Sequence, residues 1–136
     1  ALLMLDIDNF KSINDTYGHQ TGDRVIIAII NKCRQSIRGE DFFARYGGEE
    51  FVIMLPGVSL RNAVKKAKYI CKAIASTRYL IDDIPKSPSL TITISIGVST
   101  YQKADTVSSL TQRADKALYL AKRAGKNCVS SEKDLS

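Results

Sequence analysis

Asp41-Phe-Phe-Ala-Arg-Tyr-Gly-Gly-Glu-Glu-Phe-Val-Ile-Met-Leu55 reads as two strands, Asp41 to Tyr46 and Glu50 to Leu55, folded back around Gly47-Gly48. Apolar and aromatic residues dominate both arms, and a Gly-Gly pair between such runs is hairpin chemistry. Pro56-Gly57 ends the second arm. A simple hairpin needs one glycine and no acids, so this tip carries more than a turn requires. Gly47 and Gly48 present bare backbone against which a phosphate or a base can lie. Two carboxylates, Glu49 and Glu50, follow directly.

Working outward, the segment from Gly22 to Arg38 predicts a helix with Ile26, Ile29, Ile30, Cys33 and Ile37 on one stripe, stopped by Gly39. Ahead of it, Ala1-Leu-Leu-Met-Leu5 is a short continuous apolar run, as in a strand buried on both faces, ending at Asp6-Ile-Asp8. Beyond the hairpin, Ser59 can cap a helix whose buried stripe is Ala63, Ala67, Ile70 and Ile74. Asp82 to Ser89, with Pro85 and Pro88, predicts a loop. Leu90 to Tyr101 predicts one strand, bent at Gly97. Leu110, Ala114, Ala117, Leu118 and Ala121 define a further helix stopping at Gly125. A short strand near Asn127 to Val129 then precedes a polar tail over 130–136. Neither a repeat nor a linker interrupts the pattern, and one α/β domain over 1–136 is expected.

The chain of 136 residues is long enough to bury a core, and its 44% hydrophobic and 25% charged residues exclude a disordered polymer. The longest apolar run, Val25 to Ile30, is far below the roughly 20 residues of a membrane helix. The chain opens on a strand-like run without a signal-peptide pattern, so neither export nor anchoring is expected. Cys33, Cys71 and Cys128 lack metal or redox spacing, and the first two lie on helical apolar stripes, which predicts buried thiols in a reducing compartment. A net charge of +6 favours an anionic partner without naming it. Lys65, Lys66 and Lys68 read as the solvated face of their helix.

Two acidic clusters can carry chemistry. Asp6 and Asp8 lie where the first strand ends, and Glu49 and Glu50 lie at the hairpin. If the two strands are neighbours, Asp6 and Glu49 converge and can hold hard cations through oxygen. Each carboxylate taken alone is equally an ordinary turn residue. The lone His19, in a Tyr-Gly-His turn, has no second histidine or cysteine spaced to join it as a ligand, and Phe51 and Tyr119 read as core.

Arg45-Tyr-Gly-Gly-Glu-Glu-Phe51 resembles the signature of GGDEF-type diguanylate cyclases in its GGEEF form. Leu5-Asp-Ile-Asp-Asn-Phe-Lys-Ser-Ile-Asn-Asp-Thr-Tyr-Gly-His19 with Gly22-Asp23 is similar to that family's first strand and nucleotide loop. Ser95-Ile-Gly-Val98, Ala114-Asp-Lys-Ala-Leu-Tyr-Leu-Ala-Lys122 and Gly125-Lys-Asn127 resemble its last strand and helix. The motifs occur in the family's order and span essentially the whole chain.

The resemblance implies an α+β fold, a central mostly antiparallel sheet flanked by helices, similar to nucleotidyl cyclase and polymerase palm domains. It implies condensation of two GTP into cyclic di-GMP with release of two pyrophosphates, across a homodimer. Asp6, the carbonyl of Ile7 and Glu49 fall on the ligands of two magnesium or manganese ions. Glu49 is also the candidate base, with Glu50 a lesser acid beside it. Asn14 and Asp23 fall where guanine is read, Phe10 and Lys11 where backbone amides meet phosphates, and Lys122 and Lys126 where the triphosphate is gripped. Lysine at 126, where arginine is common, keeps the charge and loses the bidentate fork. Gly47 and Gly48 would lie against substrate. Arg38-Gly-Glu-Asp41 matches the family's inhibitory R-x-x-D site for cyclic di-GMP, and Tyr69 stands where a further arginine often completes it.

Plainer readings stand beside these: Asn14 and Asp23 as helix caps, and Arg38 with Asp41 as a surface ion pair. The family's D-x-L-T-x-L-x-N-R segment before the first strand and its sensory or receiver domain are not in the chain as given. A cytoplasmic bacterial setting is implied, within a longer protein that can itself be membrane-attached, with no membrane contact by this domain. A binding module for GTP or cyclic di-GMP without turnover is the second functional reading. Nucleic-acid binding lacks an aromatic-basic platform, and no nucleic-acid partner is expected.

Overall fold

The computed structural model describes residues 1–80 and 88–135. In chain order the elements are β1 (Leu2–Ile7), α1 (Phe10–Tyr17), α2 (His19–Gln35), β2 (Phe42–Arg45), β3 (Glu50–Met54), α3 (Leu60–Ala75), β4 (Arg78–Leu80), β5 (Ser89–Thr91), β6 (Ile94–Ser99), α4 (Val107–Arg123) and β7 (Val129–Ser131). A 3₁₀ turn, Glu132–Leu135, follows. The main sheet has the order β2-β3-β1-β6-β7. Its pairs are antiparallel except β6 with β7. The fold is therefore α+β around a mostly antiparallel sheet, as the resemblance implied.

β1 is central and buried on both faces, which is why its sequence runs apolar without alternation. Its odd residues Leu3, Leu5 and Ile7 join the core built with Val25, Ile26, Ile29 and Cys33 of α2 and Ala63, Ala67, Ile70 and Ile74 of α3. On the opposite face Leu2 and Met4 pack with Ala114 and Leu118 of α4, flanked by Leu110 and Val52. The next side chain in that row of β1 is Asp6, and the next in that row of α4 is Lys122. The two spacings agree, since four helical residues rise about 6 Å and two strand residues about 6.6 Å. A hydrophobic register thus runs straight into an ion pair.

Gly97 lies between β6 and α4: a Cβ there would come 2.1 Å from the Ala114 carbonyl oxygen and 2.2 Å from the Leu118 nitrogen. It lets the helix backbone touch the sheet and does not bend the strand, which runs unbroken from Ile94 to Ser99. α4 ends in a Schellman arrangement, with the Lys126 amide donating to the Ala121 carbonyl and the Gly125 amide to that of Lys122. Gly125 takes φ +118°, and Lys126 and Asn127 continue left-handed at +64° and +49°.

Several expectations change. The 90–101 segment is two strands broken at Ile92–Thr93, because β5 leaves the main sheet to pair with β4 in a two-stranded ribbon. The short helix α1 and strand β4 carry too little periodicity to be read from sequence. α2 begins at His19 and ends at Gln35, earlier at both ends than expected. The last strand is shifted to Val129–Ser131, fixed by its pairing with Ile96 to Val98. Residues 130–135 are not a loose tail: Glu132 accepts from the Thr100 amide (2.6 Å) and from Arg113 (3.3 Å). Of the expected loop, 82–87 lie outside the described residues and Ser89 belongs to β5.

Ser59 caps α3 as expected, accepting from the Asn62 amide. Phe51 is core, but Tyr119 is 58% exposed, its hydroxyl accepting from Arg123 on the outer face of α4. Lys66 departs from a purely solvated role, donating to the Ser36 carbonyl at 2.8 Å. All three cysteines are free, and burial pushes the Cys33 thiol up to about 12 and the Cys71 thiol up to about 11. None of the described helices is long and apolar enough to cross a membrane.

Candidate active site

The site forms at one end of the main sheet, where β1 stops, the β2–β3 turn arrives and α4 ends. β1 and β3 are neighbours, so the condition for convergence of the two acidic clusters is met; the residue directly opposite Asp6 is Glu50. Glu49 precedes the strand, and its carbonyl accepts from the Ile7 amide at 3.2 Å. The turn is stiffened by Arg45, whose guanidinium donates to the carbonyls of Gly47 and Gly48 at 3.2 and 2.6 Å. This role of Arg45 was not evident from sequence.

Asp6 is 5% exposed. One carboxylate oxygen accepts from Lys122, and the other is buried without a hydrogen-bond partner. Burial, and after it the neighbouring charges of Glu49 and Asp8, push the Asp6 carboxyl above its ordinary range against the pull of Lys122. Burial and the nearby acids Asp6, Asp115 and Glu49 likewise raise Glu50, opposed by Lys122. Lys122 itself is raised: burial would lower it, and the bond to Asp6 with the surrounding carboxylates more than offsets that. Such crowding of like charge with an orphaned buried oxygen fits a hard divalent cation, which takes all-oxygen donor sets.

Asp8, the other acid of the strand end, has both oxygens engaged. It accepts from the Ser95 hydroxyl (2.7 Å), the Thr93 hydroxyl (2.7 Å) and the Asn127 amide (2.9 Å). The two aspartates of one motif therefore have different environments.

Phe10 and Lys11 are the first residues of α1, whose opening amides point away from the helix body. The residue before them, Asn9, is left-handed at φ +57°, and its side-chain oxygen accepts from Lys126 at 2.7 Å. Lys122 and Lys126 thus both reach the end of β1. Asn14 lies within α1 and Asp23 within α2, so neither caps a helix; the N-caps are Asn9 and Gly18. The Asn14 side-chain oxygen is buried and unpartnered. It is held against Gly22, where a Cβ would approach it to 1.8 Å. Asp23 and His19, the first residue of α2, are exposed.

Arg38 and Asp41 lie apart from this cluster, before β2. The Arg38 amide donates to Asp41 at 2.8 Å and its guanidinium at 3.3 Å, and Glu40 pairs with Arg38 at 3.2 Å. Although burial opposes it, Arg38 through backbone and side chain holds the Asp41 carboxyl below its ordinary range. The pair lines a groove of about 440 Å³ together with Ser59, Asn62 and Lys66. Tyr69 is exposed in a recess it shares with Lys66.

A helix-flanked, mostly antiparallel sheet with carboxylates at one strand end, met by a lysine of the last helix and flanked by a second from the turn after it, defines an α+β domain of the nucleotidyl-cyclase type. Residues 1–128 match the family described as diguanylate cyclase, GGDEF domain, and the chain belongs to that family of nucleotidyltransferase-type cyclases. It is 42% identical over 135 residues to diguanylate cyclase A of Treponema denticola, covering 98% of this chain and 35% of that protein. It is 40% identical over 130 residues to response regulator PleD of Caulobacter vibrioides, covering 95% and 28%. The chain thus spans about a third of the length of these relatives. Among solved structures, the GGDEF domain of DgcB from Caulobacter crescentus in complex with c-di-GMP superimposes with a TM-score of 0.90 at 34% identity, covering 97% of this chain and 77% of that one. The active GGEEF domain of a diguanylate cyclase from Vibrio cholerae gives 0.85 at 32% identity, covering 96% and 81%.

Proposed function

We propose that this chain condenses two GTP molecules into cyclic di-GMP, releasing two pyrophosphates, with one GTP held by each of two copies of the domain. The observation that carries the reading is the buried Asp6 carboxylate with one unpartnered oxygen, set beside Glu49 and faced by Lys122. Asp6 and Glu49, with the backbone carbonyl of Ile7, would hold magnesium or manganese, two ions per site. Such ions, when bound, acidify a hydroxyl and shield the phosphoryl charge.

The chain's own groups supply positioning and charge. Lys122 and Lys126 neutralise the triphosphate, and the amides of Phe10 and Lys11 at the start of α1 take phosphate oxygens. Asn14 and Asp23 read the guanine edge through its N–H groups, which a side-chain oxygen can accept. Gly47 and Gly48 leave room for the nucleotide at the turn. Glu49 takes the proton of the ribose 3′-hydroxyl as it attacks the α-phosphate of the other GTP, and Glu50 adds negative field behind it. Because each nucleotide is both nucleophile and electrophile, the pair of domains is two-fold.

Product inhibition is assigned to Arg38 and Asp41. Asp41 fixes one edge of the guanidinium, and the exposed Glu40 holds its remaining nitrogen, from which a guanine O6/N7 edge would displace it. The relative crystallised with c-di-GMP supports a domain of this kind as a receptor for that product. The partners are thus GTP, cyclic di-GMP and a second copy, within a longer protein carrying a sensory or receiver domain.

Incubating the chain with GTP and magnesium beside its Glu49→Ala variant tests the reading. Cyclic di-GMP accumulates with the parent chain and is absent with the variant. Tight product binding without turnover by the parent chain makes it a receptor instead.

A further inference from the structure

We propose that Asp8 is a positioning residue and not a metal ligand: it fastens the left-handed turn Gly125–Lys126–Asn127 to the end of β1 and so sets Lys126 at the mouth of the site. The inference rests on the reading that Lys126 grips the triphosphate.

Three observations carry it. The first is engagement of both oxygens: Asp8 is 5% exposed and already takes the Ser95 and Thr93 hydroxyls and the Asn127 amide at 2.7–2.9 Å. Asp6, two residues earlier and within β1, keeps one buried oxygen unpartnered. A cation entering this end of the sheet finds an unpartnered oxygen on Asp6, whereas on Asp8 it meets two oxygens already engaged, one of them by the fully buried Ser95 hydroxyl.

The second is backbone strain. Lys126 and Asn127 are consecutive non-glycine residues with positive φ, a conformation that persists only where surroundings enforce it. The Schellman bonds account for Gly125 and the Lys126 amide. The Asn127 amide, at the far end of the turn, is held by Asp8.

The third is direction. With its ends tied to α4 and to Asp8, the turn aims Lys126 back across β1, where its ammonium meets Asn9 at 2.7 Å, next to the opening amides of α1. Thr93, just before β6, and Ser95, within it, orient the carboxylate, so three separate stretches of chain meet at one side chain. Without that tether the turn relaxes, and Lys126 loses its fixed place while Asp6 and Glu49 keep theirs.

The test is a variant cycle on the full chain, read as KM for GTP, kcat, and the magnesium concentration for half-maximal rate. Asp8→Ala raises KM by about tenfold and changes kcat by less than about threefold. Lys126→Ala does the same, and the double variant is no worse than about twofold beyond either single, since the two act through one contact. Asp8→Asn can rebuild the bonds, its amide nitrogen donating to a rotated Ser95 hydroxyl, and restores KM to within about twofold with the magnesium requirement unchanged. Should Asp8→Ala melt below assay temperature, Thr93→Val gives a smaller KM rise in the same direction. An Asp8→Asn chain needing over about tenfold more magnesium overturns the proposal, as a ligand would behave that way. Multiplicative effects of Asp8→Ala and Lys126→Ala overturn it too. A Lys126→Ala chain with unchanged KM removes instead the reading of Lys126 on which the inference stands.

Discussion

At the residue scale, a single missing side chain leaves room for Asn14, the residue proposed to read a base. Any Cβ at Gly22 collides with the Asn14 amide, whose far end is the flexible partner and is therefore what moves. Helix propensity favours alanine there by about 1 kcal/mol, so the collision, not the helix, decides the outcome. Gly22→Ala is expected to leave the melting temperature within a few degrees while raising KM for GTP by about tenfold; the two measurements together separate a lost recognition contact from a lost fold. The pair Gly22-Asp23 was visible in the sequence as a motif. Why it must be glycine was not, because the collision involves a neighbouring helix.

The two aspartates of Asp6-Ile-Asp8 make the same point. In sequence they are equivalent acids one strand period apart, on one face. In space one has an empty oxygen and the other has none to spare. Their chemistry differs because the start of β6 and the turn after α4 supply donors to the second, whereas among the described residues only Lys122 donates to the first.

At the element scale, α4 is the part that turns packing into a site. Its Leu110, Ala114 and Leu118 follow Leu2 and Met4 along β1, and the same register delivers Lys122 to Asp6. Gly97 permits this by letting helix backbone rest on strand backbone. Gly97→Ala pushes against the rigid main chain of α4, so relief requires the helix to lift. We expect a loss of at least about 2 kcal/mol, seen as a fall in Tm on the order of 8 °C. GTP turnover falls with it even where the protein remains folded, since Lys122 moves with the helix. Full activity in a folded Gly97→Ala chain would disconnect the helix position from the site. α4 and α3 were legible because their apolar stripes repeat over four turns and their caps, Ser59 and Thr106 in the structure, lie at their starts. α1, with eight residues and one buried side chain, Ile13, had no such stripe to show.

For the whole molecule, Arg113 ties the end opposite the active site. It donates to Asp105 at 2.6 and 3.0 Å, to the Thr100 carbonyl at 2.7 Å and to Glu132 at 3.3 Å, joining β6, α4 and the 3₁₀ turn. The Arg113 bonds, with the Gln102 amide and the Ser109 hydroxyl, hold the Asp105 carboxyl well below its ordinary range. A carboxyl depressed in the folded state contributes stability that is full above its unfolded value of about 4 and declines as pH falls below it. Asp105→Asn removes that contribution at neutral pH, so the variant is less stable at pH 7. Its stability also declines less between about pH 4 and pH 2 than that of the parent chain. Parallel acid-unfolding curves for the two chains would contradict this. Assembly has its own signature: if two domains share each reaction, specific activity rises with protein concentration until the pair forms, and it is flat for a domain that acts alone.

The sequence by itself determined the family and named the residues proposed for its chemistry: the Gly47 to Phe51 turn, Asp6, Asn14, Asp23, Lys122 and Lys126, with helices whose stripes recur every three or four residues. These are local patterns, written in spacing along the chain. Only the tertiary structure decided which aspartate is open, that Glu50 faces Asp6 across the sheet, that β5 leaves the main sheet for β4, and that residues 130–135 dock through Glu132. Each depends on which strand lies beside which. Pairing is set by contacts between segments up to a hundred residues apart, and no local periodicity records it.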